Sequence, residues 1–286
     1  MPIHLVIEAG RTERQYWRDL WRYRELFYFL AWRDFLVRYK QTAVGVAWAL
    51  IRPVLTVLIL TMACKVGGTL DTLHHDGPPV PLELLSAMLP WLFFSTAMSE
   101  SGSSLVNNAN LVSKIYFPRV VVPASSVIIS FVDLLISGSL LAVLMACYRY
   151  QPPLQVLWVP FFVLLVFGAA LGSGLWIAAL MVKYRDFRFI VPFIITFGLY
   201  AAPVMFRSSR FPALWEHWGI QWPVRLLYSM NPVVGIIDGF RWCILGGQYD
   251  LIYLPALVAS IIGTILLVTT GLWYFRKTER TFADIL

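Results

Sequence analysis

Three charged side chains fall inside otherwise apolar runs of this chain: Arg52, Glu100 and Asp133. If those runs lie in a bilayer, each charge costs on the order of 2.5–3.5 kcal/mol at the centre and needs a reason to be there. Paired carboxylates are the chemistry of general acid–base catalysis, and a chain of ionisable groups is that of a proton relay. Three scattered groups do not make a relay, and spacing alone does not show that Glu100 and Asp133 meet. The expected role is a structural ion pair or contact with a watery cavity.

Other reactive constellations are thin. His74 and His75 stand with Asp71 and Asp76 in a short polar stretch that reads as solvated surface rather than a metal site. Cys64, Cys147 and Cys243 sit in or beside apolar segments without CxxC spacing, and read as packing residues. The sequence contains no GxxxxGK[ST] and no HExxH, so it has no phosphate-cradling loop and no zinc-protease helix of its own. If the protein does work on a substrate, the energy comes from elsewhere.

The elements that must carry these residues are membrane spans. Of the 286 residues 59% are hydrophobic and 14% charged, with a mean hydropathy of +0.69. A soluble domain is about 45–50% apolar and about a quarter charged. Crossing the hydrocarbon core takes about 20 apolar residues, and six stretches qualify: 45–64, 84–106, 120–148, 154–182, 189–206 and 251–275. The second is weakest, because SESGSS interrupts its end; Pro192 and Pro203 bound or kink the fifth. The fourth carries Gly168-Ala-Ala-Leu-Gly172, a small-residue face that lets another helix approach closely.

Orientation follows from Lys and Arg in the flanks. Residues 1–44, 107–119, 183–188 and 276–286 hold sixteen basic residues, against six in the pieces between the other span ends. Both termini are therefore expected inside, and the +7 net charge reads as topology and contact with anionic lipid; it gives a nucleic-acid role no separate support. No cleavable signal peptide is expected, since the first 40 residues lack an apolar core. The fold expected is an all-α integral membrane protein: an N-terminal segment, 1–44, and a six-span domain, 45–286.

Two segments are not simple spans. In 12–40, Trp17, Leu20, Trp21, Phe27, Tyr28, Ala31 and Phe35 recur at helical spacing opposite Arg14, Arg18, Arg22, Glu25 and Arg33. An apolar aromatic face opposed by a basic one predicts an amphipathic helix lying in the membrane surface. It either anchors the first span or forms a lip that puts Arg38 and Lys40 near an anionic headgroup. The 207–250 stretch is aromatic and broken by Pro212, Pro223 and Pro232, while Asp238 and Arg241 disfavour a full span. Short re-entrant helices in the outer leaflet fit it better, either as an interfacial anchor or as a lid presenting aromatic faces.

Arg38-Tyr39-Lys40-Gln41-Thr42 with Gly45, Trp48 and Pro53, then LPWLFFS at 89–95, NNANLVSKIYFPR at 107–119, KYRDFRFIVPF at 183–193 and NPVVGIIDGFRW at 231–242, occur in that order. Together they resemble the membrane subunit of ABC-2-type polysaccharide exporters, which move O-antigen, capsular polysaccharide or teichoic acid. The resemblance implies a homodimer in the inner membrane of a bacterium, paired with two copies of a separate ABC ATPase subunit. ATP and magnesium would be held by that ATPase, leaving this chain with no catalytic residue, metal or cofactor. The cargo would be a lipid-linked polysaccharide.

By the same resemblance, the connection after the second span is a coupling helix seated on the ATPase, Asn108 to Phe117. Its residues would be Asn108, Asn110, Leu111, Lys114, Ile115, Tyr116 and Phe117, with Asn107 or Asn108 as the cap and Pro118 as the stop. Arg38, Tyr39 and Lys40 would receive the substrate's pyrophosphate, and Trp215, Trp218 and Trp222 would gate the outer side. Export of small molecules by the same architecture, a membrane-embedded enzyme acting on lipid-linked sugars, and a proton-coupled carrier are the rival readings.

Overall fold

A computed structural model describes residues 13–40, 47–66, 78–204, 208, 224–246 and 253–282. Among these residues the fold is all-helical. In chain order the helices are α1 (Glu13–Arg22), α2 (Arg24–Tyr39), α3 (Ala47–Val66), α4 (Val80–Asn107), α5 (Ala109–Lys114) and α6 (Val121–Cys147). They continue as α7 (Val159–Lys183), α8 (Phe187–Ala201), α9 (Val224–Ser229), α10 (Pro232–Leu245) and α11 (Leu254–Glu279), with a 3-10 turn, Leu154–Trp158, leading into α7. Helices α4, α6, α7 with its leading turn, and α11 are long and apolar enough to cross a membrane; α3 and α8 contain shorter apolar helices. The protein is thus a multi-pass membrane protein.

Local chemistry places the breaks. Pro81, Pro160 and Pro255 stand in the first turn of α4, α7 and α11, where the missing N–H costs nothing. Asn231 caps α10, its side chain accepting from the Val233 N–H at 3.1 Å. Helix α8 carries Pro192 inside it and stops at Ala201, because Ala202, extended, precedes Pro203. At 15 residues it is about 22 Å long, short of a 30 Å hydrocarbon core.

The span with the lowest hydropathy is the central one. In α4 83% of the apolar window is buried within the chain, against 22–33% in the other three long helices. Ser86, Ser95, Ser101 and Ser104 are buried there, and Ser86, Ser95 and Ser104 hand hydroxyl hydrogens back to their own helix, as from Ser104 to Ser101 O at 2.7 Å. A helix wrapped by other helices need not be greasy, whereas α7 and α11, without a charge before their last turns, turn much of their surface outward. The GAALG face meets α11: a Cβ on Gly172 would lie 2.5 Å from the Leu267 carbonyl carbon, and one on Gly271 would lie 2.5 Å from Gly172 O. Beside this crossing Trp176 stacks on Tyr274 with ring centroids 4.3 Å apart. No larger residue fits between backbones that close.

Helix α10 is buried along nearly its whole length, Asp238 and Arg241 included. The Arg241 guanidinium donates to Val204 O at 2.5 Å and to Glu83 O at 3.4 Å, tying α10 to the end of α8 and the start of α4. Glu83 is itself buried. The charges that argue against a lipid-facing span are thus enclosed by protein.

One apolar cluster closes the opposite end of the bundle. It holds Leu30 of α2, Leu105 of α4, Val112 of α5, Phe117, Val121 of α6, Val182 of α7, Phe275 of α11 and Phe282. The described parts of the four segments rich in Lys and Arg therefore share one end.

Candidate functional site

The connector between α4 and α6 lies at that end. Helix α5 is six residues long, Ala109–Lys114, rather than the ten expected, and Ile115 leaves it in extended conformation. Extended backbone from Ile115 carries the Phe117 ring into the apolar cluster, 4% exposed, and Pro118 holds Phe117 itself out of the helical region. Asn108 occupies the N-cap position but does not cap with its side chain. Its Nδ2 donates back to Ser104 O at 2.9 Å, and its Oδ1 accepts from Arg33 of α2 at 2.8 Å.

Three attachments fix the connector to the rest of the chain. Val112 and Phe117 enter the apolar cluster. Arg33 holds Asn108. The Arg119 N–H donates to Glu279 Oε1 at 2.7 Å, and its guanidinium also donates to the Glu279 carbonyl, so the end of α11 is joined as well. The other face is open: Asn110, Ser113, Lys114, Ile115 and Tyr116 are exposed, Ile115 by 52% and Tyr116 by 57%. Of the seven residues expected on the coupling helix, Asn110, Lys114, Ile115 and Tyr116 face outward; Asn108 and Leu111 are half-buried, and Phe117 is an anchor. Glu279→Ala is expected to leave the Arg119 N–H without its partner and cost about 1–2 kcal/mol. A lower unfolding temperature of the purified chain checks this, with Glu279→Gln, which keeps an acceptor oxygen, close to wild type.

Helix α2 does not lie flat across this end. Arg33 meets Asn108 at the end of α4, while Arg38, five residues on, meets Glu100, eight residues back along α4. The helix therefore climbs along α6, touching α4 through these side chains, and its last turn reaches Asp133, twelve residues into the 27-residue α6. The apolar side chains of α1 and α2, with Tyr23 between them, serve two faces. Leu20, Tyr23, Leu26, Phe27 and Leu30 pack on the cluster, while Trp21, Tyr28, Phe29 and Trp32 are exposed. Tyr28, Trp32, Phe35 and Tyr39 form a ladder with successive ring centroids 6.4, 5.6 and 4.8 Å apart.

At the top of that ladder the two intramembrane carboxylates converge on one guanidinium. Arg38 Nη2 lies 3.3 Å from Glu100 Oε1, and Nη1 lies 3.3 Å from Asp133 Oδ2. The Tyr39 hydroxyl donates to Asp133 Oδ1. Burial, and then the bond to Asp133, push the Tyr39 hydroxyl above its ordinary range, which keeps it a neutral donor. Arg52 is exposed on α3 and joins no ion pair among the described residues. Lys40 is exposed beside Arg38.

Sequence reasoning missed the partners of Arg38, Arg33 and Arg119, which lie 62 to 160 residues away. It also passed over Phe189, Phe193, Phe197 and Tyr200, which form an exposed stripe on α8 with the Phe193 and Phe197 rings 4.2 Å apart. Their spacing of three and four residues was the available signal. Cys243 is buried and Cys147 exposed. The expected gate residues Trp215, Trp218 and Trp222, and the His74–His75 pair, lie outside the described residues.

The sequence model of the ABC-2 type transporter family matches residues 25–245. The chain is 26% identical over 224 residues to the O-antigen export system permease protein RfbA of Myxococcus xanthus, covering 78% of this chain and 82% of that one. Two RfbA permeases of Klebsiella pneumoniae are 25% and 26% identical over 255 residues, covering 89% of this chain and 92% of theirs. With the match spanning α2 to α10, from the aromatic ladder through the connector to the buried Arg241, the chain belongs to the ABC-2 type transporter family.

Proposed function

We propose that this protein is the membrane subunit of an ATP-driven exporter that moves a lipid-linked, O-antigen-like polysaccharide across the inner membrane of a bacterium. Two copies form the channel, and two copies of a separate ATPase subunit drive it. The observation that carries the reading is the connector: a short helix with one face exposed and the other fixed to α2, α6 and α11. Force applied to the open face reaches three other helices without being absorbed by a slack loop. The similarity to O-antigen export permeases gives the cargo class.

In this reading six segments cross the membrane, α3 supplying the first and α8 most of the fifth, 189–206, with both termini in the cytoplasm. Lys114, Arg119, Lys183, Arg185, Arg188, Arg276, Lys277 and Arg280 then all lie on the cytoplasmic side. Closure of the ATPase pair pushes the connectors and spreads the two membrane subunits. The exposed aromatic stripe on α8 suits a channel wall, because stacking tolerates many sugars. Arg38, Tyr39 and Lys40 receive the pyrophosphate of the lipid carrier through charge-assisted hydrogen bonds, with Tyr28 and Trp32 leading toward them along α2.

The convergence of Glu100 and Asp133 on Arg38 weighs against a membrane-embedded enzyme, because the two carboxylates face one guanidinium between them and not a shared substrate position. Isolating the tagged chain from host membranes in mild detergent tests the reading. A Walker-A protein is expected to come with it in a one-to-one ratio, and a preparation active on lipid-linked sugars without such a partner would overturn the proposal.

A further inference from the structure

Arg38 is placed to receive an anion, yet in this structure two anions already hold it. The two carboxylates are not equivalent. Both lie 3.3 Å from the guanidinium, but Asp133 is 25% exposed and held a second time by the Tyr39 hydroxyl, whereas Glu100 is 48% exposed. Two carboxylates offset the charges of Arg38 and the neighbouring Lys40, so the guanidinium has no charge to spare for a phosphate until a carboxylate leaves. Glu100 is the carboxylate that can turn to water. It also stands eight residues before Asn108, the junction of α4 with the connector, which Arg33 of the same α2 helix grips.

We infer that Glu100 is an internal occupant of the phosphate site, displaced when the phosphate head of the substrate binds Arg38. This rests on the headgroup role proposed above and adds a consequence to it. While Glu100 is in place, the end of α2 is tied to both α4 and α6. Once a phosphate takes its position, Arg38 stays with Asp133 and the tie to α4 opens, leaving Arg33–Asn108 as the link between α2 and the connector. Arrival of substrate at the membrane helix is thereby communicated to the element that faces the ATPase. The exchange makes and breaks only ion pairs and hydrogen bonds.

The test is binding of a polyprenyl pyrophosphate to the full-length chain in nanodiscs of otherwise neutral lipid. Wild type is compared with Glu100→Gln and with the triple variant Arg38→Gln, Glu100→Gln, Asp133→Asn, which keeps neutral hydrogen-bonding groups at all three positions. Glu100→Gln is expected to bind about three- to fivefold tighter, the factor carried by one half-exposed ion pair that no longer has to be broken. The triple variant is expected to bind at least tenfold more weakly than wild type. Inorganic pyrophosphate at matched concentration separates two sources of the same chemistry. A shift confined to the polyprenyl compound supports exchange with a lipid-borne head, and an equal shift with the inorganic ion supports exchange with a soluble phosphate. Equal affinity of wild type and Glu100→Gln, with the triple variant impaired, overturns the exchange and leaves the headgroup role standing. Equal affinity of all three overturns both.

Discussion

Ile115→Asp combined with Tyr116→Ala is expected to abolish surface polysaccharide while leaving the membrane subunit at its normal level. The two side chains are the exposed apolar residues at the end of the connector, 52% and 57% accessible. They hold nothing inside the chain, so the fold does not depend on them. Truncating an anchor at the centre of a protein interface costs about 2 kcal/mol or more. Two such losses, with a carboxylate placed where an apolar side chain docked, weaken association roughly a thousandfold. The ATPase is therefore expected to be missing when the tagged double variant is purified. Phe117→Ala gives a contrasting result: that ring is buried in the cluster, so its loss costs about 3–5 kcal/mol of stability and lowers the amount of protein in the membrane. A double variant that still exports at the wild-type rate would remove the connector from the mechanism.

The second large effect is structural. Gly172→Leu is expected to eliminate the folded protein, because even a Cβ there falls 2.5 Å from the Leu267 carbonyl carbon and 2.6 Å from the Val268 nitrogen. Backbone atoms cannot swing aside as a flexible side-chain tip can, so α7 and α11 must separate along the crossing. That separation forfeits the neighbouring Trp176–Tyr274 stack and the hydrogen bond from Trp176 to Thr270. Overpacking in general costs about 1–3 kcal/mol, and this crossing lies above that range because backbone opposes backbone. Gly138→Ala is the control: nothing lies within 4 Å of a Cβ at that position of α6, and alanine is the better helix former by up to about 1 kcal/mol. Gel-filtration profiles of the two variants in detergent check both statements, with aggregation expected for the first and a wild-type peak for the second. A monodisperse Gly172→Leu protein would contradict the observed crossing.

How much of this was legible in the sequence depended on the range of the interaction. Apolar runs are local, and the long helices fall where hydropathy puts them. GAALG announced a close crossing, though not that Gly271 would lie opposite. The rows of Lys and Arg announced which segments share an end. The connector helix is shorter than its polar run suggests, because Phe117 is anchored in a cluster built from distant segments, and nothing local to the run shows that anchor. Asn108 carried the right type for a cap, yet Arg33, 75 residues earlier in the chain, draws its side chain away. For Arg38 the local pattern showed only part of its surroundings. An arginine at the end of an amphipathic helix looks destined for lipid headgroups, and the inclination of α2 that delivers it to Glu100 and Asp133 is set by tertiary packing around Leu30. The same inclination supplies the partner that the carboxylates lacked when read singly. It also means that Arg38→Gln disturbs both anion binding and the tether of α2, so export by that variant cannot separate the two roles.

The central claim is export of a lipid-linked polysaccharide. It is tested most directly by deleting the gene in its host and locating the polymer by fractionation. Full-length lipid-linked polysaccharide held on the cytoplasmic face, with none at the surface, is the result the account predicts. Polymer that is absent or short in every fraction would contradict it and point to a biosynthetic enzyme; an unchanged surface coat would equally contradict it and favour export of small molecules.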